Sequence, residues 1–201
     1  MKKFLITVLI LFFTVPVLAE NTILIVGDSI SAGYGIDPKQ GWVKLLEKRL
    51  IESNHEYRVV NASISGDTLS NGLSRLPAAL TKYKPQITII ELGANDALRG
   101  LSPDLMKKNL ENLIILTKKS GSKILVLGMR IPPNYGITYT QQFLQIFQNL
   151  GRQDDVKVVP LFLNNIDDKT KLMQADGIHP TAEAQIILLN NIWPELKKLL
   201  R

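Results

Sequence analysis

Short apolar runs alternate along this chain with stretches of helical spacing, and that alternation leaves few folds open. It argues for a parallel sheet flanked by helices, because parallel neighbours need a long crossover between them. Thr22–Val26 reads as the first strand. Gly41–Ser53 follows as a helix, with Trp42, Val43, Leu45, Leu46 and Leu50 on one face. Tyr57–Val60 is the second strand, and Asp67 looks like the N-cap of a helix running to about Lys82. Gln86–Leu92 is a third strand, apolar enough to be buried on both faces. Ser102-Pro103-Asp104 gives a cap, a first-turn proline and an acid near the dipole, so a helix starts there and ends near Ser120-Gly121. Ile124–Leu127 is the fourth strand, Tyr139 to about Arg152 a helix, and Val156–Val159 the fifth strand. Pro180 is expected to open the last helix and Pro194 to kink or restart it. A chain of 201 residues without repeats, low-complexity tracts or linkers is expected to form one domain.

The first residues obey a different logic. Lys2 and Lys3 precede an apolar run from Phe4 to Leu18, and Val17-Leu18-Ala19 offers small residues for cleavage after Ala19. That is the pattern of a secretory signal peptide over residues 1–19, with the folded domain over 20–201. The run is short for a membrane-spanning helix, which needs roughly 18 or more apolar residues. No stable membrane anchor is therefore expected after cleavage, and with no cysteine there is no lipid attachment at one. Export would place the domain in an oxidising space without disulfides, which a domain of this size does not need. Losing the two leader lysines leaves 22 basic residues against 18 acidic ones. That modest excess is spread along the chain, so no nucleic-acid partner is indicated.

In open parallel sheets, sites form beyond the carboxyl ends of the strands. Strands one to three end in Gly27-Asp28-Ser29, in Asn61 through Asp67, and in Gly93-Ala94-Asn95-Asp96. The last helix is preceded by Asp176-Gly177-Ile178-His179. A serine hydroxyl needs a base before it becomes a nucleophile. His179 could be that base for Ser29, with Asp176 orienting the imidazole and stabilising its charged form. The N–H groups of Ser29 and Gly66 and the side-chain amide of Asn95 could stabilise a developing oxyanion.

Each segment also has a plainer reading. Gly-Asp-Ser can be only a turn, Gly66-Asp67-Thr68 only a helix start, and Asp-x-x-His only a solvated cap. Asp28 and Asp96 read as loop-ordering residues, and His55, in a polar connection, as a surface residue. Other chemistries fit less well. Ser29 lacks the second glycine of the Gly-x-Ser-x-Gly elbow. No Gly-Lys-Ser/Thr phosphate loop exists, and Gly33-Tyr34-Gly35 is a poor dinucleotide fingerprint. With two histidines and no cysteine, a zinc site of the usual kind is not expected.

The four segments together resemble the blocks of the SGNH, or GDSL, hydrolase family: Ser29 in Gly-Asp-Ser, Gly66 after the second strand, Asn95 in Gly-x-Asn-Asp, and Asp176 with His179, in the family's order. Longer stretches, Gly27–Tyr34, Asn61–Thr68, Glu91–Gly100, Pro133–Gly136 and Asp176–Pro180, are similar to periplasmic members from Gram-negative bacteria. Ala94 fills the free position of Gly-x-Asn-Asp and departs from those periplasmic members, where a second glycine stands. The resemblance implies a three-layer α/β/α fold with a flavodoxin-like, five-stranded parallel sheet. It implies a serine hydrolase without metal or cofactor, acting on esters and thioesters such as acyl-CoA and lysophospholipids; with the leader, a periplasmic or secreted enzyme is expected, and a monomer. The loop from Ala97 to Ser102 would border the acyl groove, with Ala97, Leu98 and Leu101 in contact, although Leu101 could instead staple the following helix. The alternatives are a short-chain carbohydrate or aryl esterase on the same scaffold and a catalytically silent lipid-binding module.

Overall fold

A computed structural model of the chain describes residues 21–151, 155–166 and 171–201. The predicted leader and Arg152 lie outside the described residues. Five strands form one parallel sheet: β1 (Thr22–Gly27), β2 (Arg58–Asn61), β3 (Ile87–Glu91), β4 (Lys123–Leu127) and β5 (Lys157–Val159). Their order, β2-β1-β3-β4-β5, is the flavodoxin-like order expected. Every residue of β1 and β3 is buried, as befits central strands covered on both faces.

The helices are α1 (Ser29–Ala32), α2 (Trp42–Glu52), α3 (Leu69–Tyr83), α4 (Ala94–Leu98), α5 (Pro103–Lys119), α6 (Ile137–Leu150) and α7 (Gln185–Lys197). Helix α2 packs against α7, and α3 against α5, which also touches α6. Trp42, Leu46 and Leu50 of α2 and Leu188, Leu189 and Ile192 of α7 are buried, as are Leu69, Leu76, Leu110 and Leu113 of α3 and α5.

Three expectations change. Thr68, not Asp67, caps α3: its hydroxyl accepts from the Asn71 N–H, and Asn71 Oδ1 accepts from the Thr68 N–H. The last helix begins at Gln185, because Pro180 is held in an antiparallel bridge with Met173. Pro194 does not restart that helix; it lies within α7, on the exposed side, near its end. Helices α1 and α4 are too short to carry a periodic signal. They sit directly after β1 and β3, on either side of the point where the strand order reverses, which is where open sheets of this kind place their sites.

Candidate active site

Each site residue is delivered by a strand end or a tied loop. After β1 the chain turns through Asp28, whose Oδ1 accepts from the Ile30 N–H at 3.0 Å and starts α1. Ser29 is thus the first residue of a short helix, half-buried, with its hydroxyl facing the last loop. That loop is closed by the Met173–Pro180 bridge and by Gln174, whose N–H donates to the His179 carbonyl at 2.7 Å. The Gln174 side-chain amide also donates to the Tyr34 carbonyl at 2.8 Å, fastening the loop to the segment after α1.

Inside the loop Asp176 works with both oxygens. Oδ1 accepts from the N–H groups of Ile178 at 2.9 Å and His179 at 3.0 Å, which folds the turn. Oδ2 lies 2.7 Å from His179 Nδ1, and His179 Nε2 lies 2.9 Å from Ser29 Oγ. The bond to His179, then the two backbone N–H groups, hold the Asp176 carboxyl down at about 2. It is ionised at any ordinary pH and accepts a proton-bearing Nδ1, which leaves the Nε2 lone pair for Ser29. The Tyr34 ring tilts against the imidazole, 4.5 Å between centroids.

Asn95 stands in the first turn of α4. Its Nδ2 donates to Asp28 Oδ2 and to the Asp67 carbonyl, both at 3.1 Å, so it sits between the residue before Ser29 and the residue after Gly66. Gly66 has φ +84°, a conformation that favours glycine. The N–H groups of Ser29 and Gly66 are not used in any turn, cap or loop hydrogen bond among the described residues. Ala94, at the free position of Gly-x-Asn-Asp, opens α4 in helical conformation, where alanine is the best helix former.

Asp28 and Asp96 order the site as expected. Burial pushes the Asp28 carboxyl up to about 6, against the lowering effect of its hydrogen bonds. Asp96 Oδ2 accepts from the Leu69 N–H at 2.8 Å and so ties α4 to the start of α3. His55 is half-buried and not freely exposed: its ring meets Trp193 and Nδ1 lies 3.2 Å from the Arg201 carbonyl.

Ala97 differs from expectation. It is fully buried, so its side chain faces the core and not a groove. Leu98, the last residue of α4, and Leu101, on the loop that follows, are half-buried. Three residues that sequence reasoning missed hold this region. The Tyr135 hydroxyl donates to the Leu98 carbonyl at 3.0 Å. The Tyr139 hydroxyl lies 2.7 Å from the Leu101 carbonyl and 3.2 Å from that of Ala97, sharing one hydrogen between them. Arg75 of α3 pairs with Asp67 at 2.6 Å and donates to the carbonyls of Ala62 and Gly27, joining the ends of β1 and β2. Only the Tyr in Asn-Tyr-Gly lay in a stretch the family pattern could have flagged; the other two are ordinary helix residues in sequence. Among the described residues no cluster of three or more His, Cys, Asp or Glu side chains is placed to hold a metal ion.

A serine, imidazole and carboxylate in line, set at the switch point of a flavodoxin-like sheet, define a serine-hydrolase arrangement. The sequence pattern of the GDSL-like Lipase/Acylhydrolase family matches residues 25–185, and the chain belongs to that family. It is similar to Esterase TesA of Pseudomonas aeruginosa, 50% identical over 90% of each chain. It is also similar to Thioesterase 1/protease 1/lysophospholipase L1 of Escherichia coli, 38% identical over 90% of this chain and 86% of the other. Among solved structures, the crystal structure of TesA superposes with a TM-score of 0.87 at 49% identity, covering 90% of this chain and all of that one. The chain is therefore an enzyme of the SGNH/GDSL esterase and thioesterase type.

Proposed function

We propose that residues 20–201 form an exported serine hydrolase, released from its leader after Ala19, that cleaves carboxylic esters and thioesters through an acyl-enzyme on Ser29. The observation that carries this is the line Asp176 Oδ2–His179–Ser29 Oγ, with spacings of 2.7 and 2.9 Å. His179 Nε2 takes the hydroxyl proton as Oγ attacks the acyl carbon, and Asp176 stabilises the imidazolium. The carbonyl oxygen becomes an oxyanion, for which the N–H groups of Ser29 and Gly66 and the Asn95 amide are the donors. Both Asn95 hydrogens already have acceptors, but an oxyanion is a stronger acceptor than the neutral Asp67 carbonyl and draws one of them over. The imidazolium then protonates the departing alcohol or thiol. Water attacks the acyl-enzyme, His179 takes its proton, and collapse of the second intermediate frees the acid and returns the proton to Ser29. No metal or cofactor enters these steps.

The substrate class is acyl esters and thioesters with an apolar acyl chain, including acyl-CoA and lysophospholipids. Exposed Tyr34, Ile64 and Ile178 lie beside His179 or next to the site in sequence, and Leu98 and Leu101 lie on the loop after Asn95. These give an apolar surface for the chain. The enzyme acts as a periplasmic or secreted monomer. No helix among the described residues is long and apolar enough to cross a membrane.

A fluorophosphonate should inactivate the enzyme and modify Ser29 alone, as mapped by peptide mass spectrometry. An adduct elsewhere, or an active enzyme that resists the reagent, would sink the assignment. Comparing acetyl with dodecanoyl esters tests the acyl surface, and a preference for acetyl would point to a short-chain or aryl esterase.

A further inference from the structure

Beneath the Ser29 turn lies a carboxyl that the proposed chemistry does not use. Glu91 closes β3 and is completely buried. Its Oε2 accepts from the Ser31 hydroxyl at 2.6 Å and from the Asp28 N–H at 3.3 Å. One oxygen thus holds the residue before Ser29 and the residue two beyond it. Glu91 Oε1 has no hydrogen-bond partner among the described residues.

The backbone is shaped around this carboxyl. A Cβ added to Gly27 would stand 2.7 Å from Glu91 Oε2 and 2.8 Å from Ser31 Oγ, closer than side-chain carbons are found. The glycine of Gly-Asp-Ser is therefore the space that Glu91 and Ser31 occupy, since its φ is not in the left-handed region. Asp28 passes the constraint on: its N–H is on Glu91, its Oδ1 caps α1, and its Oδ2 holds Asn95. Through two hydrogen bonds a single buried group reaches both the nucleophile and an oxyanion donor.

Burial, and next the charge of Asp28, push the Glu91 carboxyl well above the usual range. A neutral acid suits the position, because Oε2 is needed only as an acceptor. A buried carboxyl amid apolar strand residues weakens a sheet centre unless something else requires it.

We propose that Glu91 is a positioning residue: by gripping Asp28 and Ser31 it sets where Ser29 Oγ stands against His179 and where Asp28 holds Asn95. This rests on Ser29 being the nucleophile. The test is kcat and KM per fluorophosphonate-titrated site for wild type, Glu91→Met, Glu91→Gln and Ser31→Ala. Methionine removes both acceptor contacts, so kcat per site should fall about tenfold or more with KM within about threefold. Glutamine keeps an oxygen where Oε2 stands and should restore kcat to within about threefold of wild type. Ser31→Ala, which deletes one contact and leaves the strand intact, should fall between them.

A Glu91→Met enzyme with unchanged kcat per labelled site, whatever its melting temperature, would reduce Glu91 to a fold residue. Glutamine as impaired as methionine would overturn the neutral-acceptor role. Should the methionine variant not fold, an unchanged kcat in Ser31→Ala would overturn the clamp. Failure of the nucleophile assignment shows separately, as wild-type enzyme that does not label at Ser29.

Discussion

The Asp176–His179 contact can be broken without disturbing the loop that carries it, and the effect follows from which oxygen does what. In Asp176→Asn the oxygen at the Oδ1 position still accepts from the N–H groups of Ile178 and His179. The amide nitrogen takes the place of Oδ2, 2.7 Å from His179 Nδ1. Two donors cannot face each other there, so the imidazole moves its proton to Nε2. It then presents an N–H to Ser29 Oγ and has no lone pair to receive the hydroxyl proton. Recovering the productive tautomer leaves two donors unsatisfied at about 1–3 kcal/mol each, or about 2–6 kcal/mol together. At about 1.36 kcal/mol per decade, that is roughly 30- to 26,000-fold. The Asp176 side chain is 39% exposed, so water can meet part of the deficit. We expect kcat to fall roughly 10²- to 10³-fold with KM little changed, since the lost function belongs to the transition state. Initial rates on an aryl ester, divided by the sites counted with fluorophosphonate, measure it. A variant within about fivefold of wild type per site would refute the tautomer reasoning.

The other expected outcomes draw on separate parts of the structure. Asn95→Ala should lower kcat by roughly 10²–10³-fold, about 2.7–4 kcal/mol, and a change confined to KM would remove Asn95 from the oxyanion hole. Tyr139→Phe deletes the hydroxyl shared by the Leu101 and Ala97 carbonyls. It should cost about 1 kcal/mol of stability and lower kcat/KM for dodecanoyl more than for acetyl esters, and an unchanged ratio would separate that loop from chain binding. Asp28 is raised from 3.8 to about 6, so the folded state binds more protons than the unfolded state between those values. Stability contributed there falls as pH rises through that window, and Glu91, raised in the same network, acts in the same direction. Asp176 acts oppositely, with its contribution present above 3.8 and lost as pH falls through about 2. Melting curves across these windows should show the fall, and Asp28→Asn should flatten it; a stability that rises from 3.8 to 6 would contradict the assignment. Thr68→Ala removes the α3 cap and should cost about 1 kcal/mol, read as a melting temperature roughly 2–4 °C lower.

Much of the fold is legible in the chain because β1 and β3 are continuous apolar runs and the long helices have one apolar face. The misses share a physical origin. Asp67 has the chemistry of an N-cap, but Arg75 eight residues on claims its carboxylate, and Thr68 takes the cap with Asn71. Pro180 has the chemistry of a first helical residue, but its pairing with Met173 keeps it extended until the chain has passed His179. Tyr139 looks like one more residue on α6, and its role depends on carbonyls about 40 positions away. In each case a partner elsewhere in the fold outweighs the local preference.

The candidate site is easier to read from the sequence than these contacts, for a reason the geometry makes plain. Asp176 and His179 are joined by their own turn, so their spacing carries the contact. Gly27 and Asp28 look in sequence like turn formers, and a turn would account for them. In the fold each answers to the neighbouring β3–α4 segment: Gly27 makes room for Glu91 of β3, and Asp28 receives Asn95 of α4. The Gly-Asp-Ser segment is thus the imprint left on one strand end by its neighbour. That is why Gly-Asp-Ser alone says little, while Gly-Asp-Ser at the end of one central strand and Glu-Leu-Gly-Ala-Asn-Asp at the end of the other together carry the proposed site. It also places the weight of the turn on Glu91, a carboxyl that ends an otherwise largely apolar strand.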